Sequence, residues 1–259
     1  MLLEDRVVIV TGSTTGIGEA VAHRCIKEGA RVMVHGRNEE RASAVCNELG
    51  QNSRFVIADL ADPASPKTIV EATMDSFGRV DALVNNAALT TRSNLDTLDA
   101  AHFDTLLAVN LRAPLLMIKE VVPHFRTLGK GSIVNIGSVN AFCGEPNLLV
   151  YSMTKGGLST MTRNLADSLG AERIRVNQIN AGWTYTENER KLKISHGFPE
   201  EWDTKLPTAY APFGRIFYPH EVAGHVVYWL SDAAGPVSGS VFELEQFPVL
   251  GRNPNKDVD

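Results

Sequence analysis

Ser138, Tyr151 and Lys155 are the residues of this chain whose types and spacing point most directly to chemistry. In Tyr151-Ser-Met-Thr-Lys155 a phenol and an ammonium stand four positions apart. The run that follows, through Leu169, has a helical pattern. On a helix the two side chains share a face one turn apart, roughly 6 Å along the axis. At about 4 Å and an effective dielectric near 20, lysine–phenolate attraction is worth about 4 kcal/mol. That corresponds to about three pKa units off a reference near 10, before burial works against it. The spacing predicts a tyrosine acidic enough to exchange protons near neutral pH. A Tyr-x-x-x-Lys alone arises easily by chance, so the elements that position it carry the argument.

The first of these is N-terminal. Arg6-Val-Val-Ile-Val-Thr11 is a short β-rich apolar run, read as a buried strand. It leads into Gly12-Ser13-Thr14-Thr15-Gly16-Ile17-Gly18 and then a helical pattern from Glu19 to Glu28, ended by Gly29. Strand, glycine turn and helix are the context of a dinucleotide site. Glycines let the backbone approach a pyrophosphate, and the helix N-terminus offers free N–H groups and a positive dipole end. Taken alone, the segment has an ordinary strand-to-helix turn as its lesser alternative. Further strands are expected at 31–35, 54–57, 82–85, 132–136, 174–178 and 241–244, with long helices at 101–125 and 150–169. This alternation predicts an α/β fold, a Rossmann-type doubly wound parallel sheet with helices on both faces, as a single domain over 1–259. Ligands of such sheets gather at the carboxyl ends of the strands, where the strand order reverses. Gly12–Gly18, Asn85, Ser138 and Gly182 all fall at such ends. Residues 183–212 form a long, irregular, charged stretch, expected to be a substrate lid, and 252–259 a polar tail.

Composition agrees. A chain of 259 residues can bury a sizeable core, and 44% hydrophobic with 21% charged residues describes an ordinary globule. No apolar run is long enough to span a bilayer, so no membrane partner is expected. The N-terminus lacks the pattern of a signal peptide. A net charge of −5 without a lysine/arginine cluster points away from nucleic acid. Cys25, Cys46 and Cys143 are scattered, so neither a disulfide framework nor a metal site is expected, and a cytoplasmic location fits best.

Together these segments resemble the short-chain dehydrogenase/reductase family over nearly the whole chain. Thr11–Gly18 matches the family's cofactor turn, Asp59 with Leu60 its adenine-contacting pair, and Asn85-Asn86-Ala87-Ala88 its Asn-Asn-Ala-Gly segment. Asn110, Ser138, Tyr151 and Lys155 match its catalytic positions, in the family's order and spacing. The resemblance implies an NAD(P)-dependent enzyme interconverting a secondary alcohol and a ketone. Ser138 would hold the substrate oxygen, Tyr151 would exchange its proton, Lys155 would tune the tyrosine and bind the nicotinamide ribose, and Asn110 would anchor a water relay. Gly182, Thr184 and Thr186 would contact the nicotinamide and phosphate. It also implies a homo-oligomer, dimer or tetramer, paired through the two long helices, with Leu111, Leu115, Met117, Met153, Leu158 and Met161 as apolar candidates. Two segments depart from the family: Asn180-Ala181-Gly182 replaces a Pro-Gly, and Glu243-Leu-Glu245-Gln-Phe247-Pro248 an Asp-Gly-Gly.

Cofactor choice turns on the end of the second strand. His35-Gly36-Arg37-Asn38 offers no acid for a ribose 2′-hydroxyl, whereas a guanidinium suits a 2′-phosphate. NADP(H) is therefore favoured and NAD(H) possible. The bland alternative is that Arg37 pairs with Glu39 or Glu40, or stacks on adenine, and discriminates little. A small polar substrate, such as a sugar, polyol or sugar acid, is preferred because of the polar lid, with a 3-oxoacyl-thioester or general ketone reductase and a non-catalytic redox sensor as rivals. His220 and His225 are expected to pack rather than bind metal, and Cys143 to be an inert thiol. Pro123 is expected to kink or stop its helix. Trp202, Tyr210, Phe213 and Phe217 are expected to pack the lid on the body. Arg190, Lys191, Lys193 and His196 read as a solvated basic face, with attraction for an anionic substrate as the lesser alternative.

Overall fold

Four consecutive apolar residues with no polar face, Val7–Val10 (β1), are buried on both sides, as a central parallel strand requires. Val8 and Val10 face one core, and Ile9 the other. The structure, a computed structural model, describes residues 1–250 except Cys143 and Lys205. The expectations for Cys143 and for the 252–259 tail therefore lie outside the described residues. The strands that follow are β2 (Arg31–Gly36), β3 (Ser53–Ile57), β4 (Ala82–Asn85), β5 (Gly131–Ser138), β6 (Ile174–Ala181) and β7 (Val241–Leu244). They form one sheet in the order β3-β2-β1-β4-β5-β6-β7, with every pairing parallel. The order reverses between β1 and β4, which opens the crevice where such folds bind ligands.

Helices α1 (Gly16–Lys27), α2 (Glu39–Leu49) and α8 (Pro219–Leu230) cover one face. Helices α3 (Ser65–Phe77), α5 (Ala113–Leu128) and α6 (Leu149–Leu169) cover the other. Two shorter helices, α4 (Ala100–Leu107) and α7 (Glu187–Ser195), complete the set. The doubly wound single-domain architecture expected from the alternation is thus present.

Several local expectations need correction. The segment 101–125 is not one helix: a π-helical stretch, Ala108–Arg112, separates α4 from α5. Pro123 neither stops nor breaks α5, which runs on to Leu128. Its missing N–H would have bonded a carbonyl one turn earlier, within the first half of the same helix. The 183–212 stretch is not irregular throughout, because α7 occupies its first half and a 3₁₀ turn, Trp202–Thr204, follows. Of the aromatic residues assigned to the lid–body contact, Trp202 is buried, whereas Tyr210 and Phe213 are 71% and 80% exposed. His220 and His225 stack on Tyr218 and Phe242, the packing role expected of them.

Candidate active site

The glycine turn closes β1 onto α1 and is built around close approach. Gly12 and Gly16 adopt φ of +63° and +62°, a region that side chains resist. A Cβ on Gly12 would meet the Ala87 backbone, and one on Gly18 would land on the Gly12 carbonyl and the Asn86 amide. Thr11 Oγ1 accepts from the backbone N–H of Asn86 at 3.0 Å and of Ala87 at 3.1 Å. The Asn86 side chain donates to the carbonyls of Thr11 and Gly12 at 2.9 and 3.0 Å. The Asn86–Ala87 segment thus fixes the turn from across the switch point. Thr186, which caps α7, lies beside Gly16, so the start of α7 meets the start of α1.

Two of the expected cofactor side chains are committed elsewhere. Ser13 is fully buried; its hydroxyl donates to Val10 O at 2.7 Å and accepts from His35 N at 3.0 Å. The Leu60 side chain belongs to the apolar core, leaving its backbone to face a ligand. Arg37 pairs with Asp59 at 3.9 Å rather than with Glu39 or Glu40, and both side chains remain more than half exposed at the strand ends. Thr184 is buried with its hydroxyl on Gly182 O at 3.0 Å, and Gly182 N–H donates to Leu244 O at 2.8 Å. A Cβ on Gly182 would strike the Glu245 carboxylate, so the residues that replace Asp-Gly-Gly are packed directly against this glycine. These features fit a dinucleotide: a glycine cradle with no room for a Cβ, a helix N-terminus behind it, and a guanidinium at the outer end.

Ser138 ends β5, and Tyr151 and Lys155 project from the first turns of α6. The Ser138 hydroxyl lies beside the Tyr151 side chain, where its hydrogen-bonding influence favours the ionised phenol. The Ser138 hydroxyl oxygen also accepts from Asn140 N–H at 3.2 Å, which orients it. Lys155 is 3% exposed and donates from Nζ to Ile136 O at 2.7 Å, with Nζ 5.6 Å from the centre of the Tyr151 ring. Burial lowers the Lys155 pKa to about 8. Burial also raises the Tyr151 pKa, and Ser138 offsets this in part. The expectation that the lysine makes this tyrosine acidic is therefore not met. The ammonium lies on a backbone carbonyl rather than on the phenol oxygen, and desolvation outweighs what attraction remains.

Asn110 sits in the π segment, 1% exposed. Its Oδ1 accepts from Leu89 N at 2.8 Å, and its Nδ2 donates to Leu89 O at 2.9 Å and Thr154 Oγ1 at 3.3 Å. Thr154 in turn donates to Tyr151 O at 2.7 Å. The amide is thus engaged by neighbouring backbone, and it ties the post-β4 loop to the turn that carries the tyrosine. π turns of this kind recur at functional sites. The rim is closed by Arg92, which donates from Nη1 to both Glu145 carboxylate oxygens at 2.7–2.8 Å.

The 183–202 segment folds an aromatic cluster around Lys193 that nothing in the residue spacing singles out as a unit. Trp183 stacks on Trp202 at 5.2 Å, and Phe198 meets Trp202 edge-on. Lys193 Nζ lies 4.8, 5.2 and 6.0 Å from the centres of Trp183, Phe198 and Trp202. Arg190 and Lys191 pair with Glu187, and Lys193 with Glu189. With three cations against two carboxylates α7 is only slightly basic, and Lys193 is a packed residue rather than a solvated one.

His35 was also missed as a site residue. It is 3% exposed, accepts from Gly12 N–H at Nδ1 (3.0 Å), and bonds Ala58 O through Nε2 (3.1 Å). That pair of partners requires the neutral ring with its proton on Nε2. Burial lowers its pKa to about 4, against smaller upward contributions from the Ala58 bond and Asp59. The available signal was its position inside a strand buried on both faces.

The chain is similar to known proteins over nearly its whole length. The family model described as short chain dehydrogenase matches residues 6–196. A probable galactose dehydrogenase of Rhizobium meliloti is 37% identical over 247 residues, covering 94% of both chains. A 7alpha-hydroxysteroid dehydrogenase of Clostridium sardiniense is 32% identical over 255 residues, covering 96% of this chain and 95% of its own. The crystal structure of a 3-ketoacyl-(acyl-carrier-protein) reductase from Brucella melitensis complexed with NADH is 31% identical. It covers 93% of this chain and 97% of its own, with a TM-score of 0.82.

Proposed function

Because the chain belongs to the short-chain dehydrogenase/reductase family and is an NAD(P)-dependent oxidoreductase acting on small molecules, we propose that it interconverts a secondary alcohol and a ketone through Ser138, Tyr151, Lys155 and Asn110. The observation that carries this reading is Ser138 at the end of β5 beside Tyr151, with Lys155 buried against the tyrosine ring. When bound, the nicotinamide supplies or accepts the hydride. Ser138 positions the substrate oxygen by donating to it. Tyr151, kept protonated by burial, gives that oxygen its proton in reduction and takes it back in oxidation. Lys155 would hold the nicotinamide ribose, and burial, which lowers its pKa to about 8, eases the loss of its proton. Asn110 holds the loop and the tyrosine-bearing turn together and borders the water path to Lys155.

Gly12–Gly18, Asn86 and Ala87 would cradle the pyrophosphate side of the cofactor, with Gly182, Thr184 and Thr186 on the nicotinamide side. Arg37, exposed beside Asp59, supports NADP(H) over NAD(H), since its guanidinium is free to swing toward a 2′-phosphate. For substrate we favour a small polar sugar, polyol or sugar acid, supported by the probable galactose dehydrogenase relative and by the polar helix α7. We place the protein in the cytoplasm as a homo-oligomer. Leu115 and Met153, 45% and 52% exposed on α5 and α6, offer a pairing face, whereas Met117 and Leu158 belong to the home core. Among the described residues no helix is long and apolar enough to cross a membrane.

The test is the absorbance of reduced nicotinamide, with each dinucleotide offered polyols, aldonates, hydroxyacyl thioesters and simple secondary alcohols. Turnover of polyols or aldonates with NADP⁺ is expected. Preference for thioesters would replace the substrate assignment and leave the reaction class intact.

A further inference from the structure

The imidazole of His35 bridges two parts of the cofactor site that no other side chain connects among the described residues. Its Nδ1 holds Gly12 N–H, the first amide of the glycine turn, at 3.0 Å. Its Nε2 holds Ala58 O at 3.1 Å, and the next residue is Asp59, the partner of Arg37. The backbone reinforces the first link. Ser13 N–H donates to His35 O at 2.9 Å, and His35 N–H donates to Ser13 Oγ at 3.0 Å. Gly36, the following residue, lies against the Thr14 side chain so closely that a Cβ there would overlap it. The ends of β1, β2 and β3 are therefore coupled through one ring. With its N–H turned toward the ring, Gly12 takes the left-handed φ of +63° and leaves the amides nearer the α1 N-terminus to face an anion.

We propose that His35 is a positioning residue with two separable effects: its Nδ1 link sets affinity for the pyrophosphate common to both dinucleotides, and its Nε2 link sets discrimination at the adenosine 2′ position. This rests on the reading of Gly12–Gly18 as the cofactor turn. The charged groups facing the ring are Asp59, beyond the end of β3, and Arg37, on the segment following β2. They are the pair that would meet a 2′-phosphate or 2′-hydroxyl, so a shift of the Ala58 carbonyl reaches them directly.

Three substitutions separate the links. In His35→Asn the amide oxygen takes the Nδ1 place and keeps the Gly12 bond while losing Ala58. In His35→Gln the amide nitrogen takes the Nε2 place and keeps Ala58 while losing Gly12. His35→Phe preserves bulk and loses both. Dissociation constants for NADPH and NADH, titrated without substrate, provide the readout, with kcat at saturating cofactor and melting temperature measured alongside. His35→Gln is expected to weaken both dinucleotides equally by about tenfold, the scale of one buried hydrogen bond. His35→Asn is expected to keep NADH affinity and to change the NADPH/NADH ratio by several-fold. His35→Phe is expected to combine both effects. Proton-detected ¹⁵N spectra of the unliganded wild type should show a neutral ring protonated on Nε2. Uniform loss of stability with unchanged dissociation constants, or the same dinucleotide ratio in all variants, overturns the proposal. Failure of the wild type to bind either dinucleotide would instead overturn the assignment of the turn.

Discussion

Lys155 allows a prediction whose size follows from its burial. The ammonium is 3% exposed with one carbonyl for a partner, and its pKa falls from 10.5 to about 8. Below pH 8 both folded and unfolded chains carry the charge, and the folded protein bears the whole cost of burying it. Between about 8 and 10.5 the folded lysine is neutral while the unfolded one remains protonated. The unfolded state then binds more protons, so stability rises with pH through this window. At 1.36 kcal/mol per pKa unit the complete effect is about 3 kcal/mol, of which about 2 kcal/mol is realised between pH 7.5 and 10. Lys155→Met serves as the reference, because its loss of the Ile136 bond does not vary with pH and most other titrations cancel in the difference. Denaturant unfolding of the two unliganded proteins from pH 7 to 10 is the assay. The wild type should gain about 2 kcal/mol on the variant, equivalent to about 4–8 °C in a domain of this size. Parallel pH profiles would refute the reasoning, since they would mean that the lysine titrates in the folded state as it does in water.

Two further outcomes follow from the same geometry. Gly18→Ala drives a methyl into the Gly12 carbonyl and the Asn86 amide, so it should destabilise by about 1–3 kcal/mol in thermal melts and raise the cofactor dissociation constant more than tenfold; retention of both within error would mean that the turn is not close-packed. Lys193→Met removes the ammonium from three rings and should loosen the lid by about 1–2 kcal/mol. The expected signs are a red-shifted tryptophan emission, a raised substrate KM and an unchanged kcat, and an unaltered spectrum with unaltered KM would count against a latch at this site.

The central strands were legible because they are buried on both faces, which forces continuous apolar runs such as Val7–Val10 and residues 82–84. The glycine turn was legible because its backbone geometry excludes other residues at Gly12 and Gly18. What escaped depends on distances the chain does not print. The π stretch at Ala108–Arg112 sits between two helices, inside what reads as one continuous helical run. The lid helix did leave a trace: Thr186 followed three residues later by Glu189 is a capping pattern, and the Thr186 side chain does accept from Glu189 N–H. Its low apolar content hid the helix beyond that cap. Helical spacing put Tyr151 and Lys155 on neighbouring turns, but only the fold shows that Ile136 O takes the ammonium and that both groups are desolvated. Ser13 and Leu60 matched their motifs by position, while their side chains are used by the protein itself.

The most direct test of the central claim is the turnover of Tyr151→Phe beside wild type, with cofactor affinity measured on the same samples. The ring and its packing are retained and only the hydroxyl is lost. The account predicts cofactor binding close to wild type and a loss in kcat of at least about 10²-fold, the contribution of one positioned acid/base group. Turnover within a few-fold of wild type would contradict it, because the proton would then have to come from a group other than Tyr151.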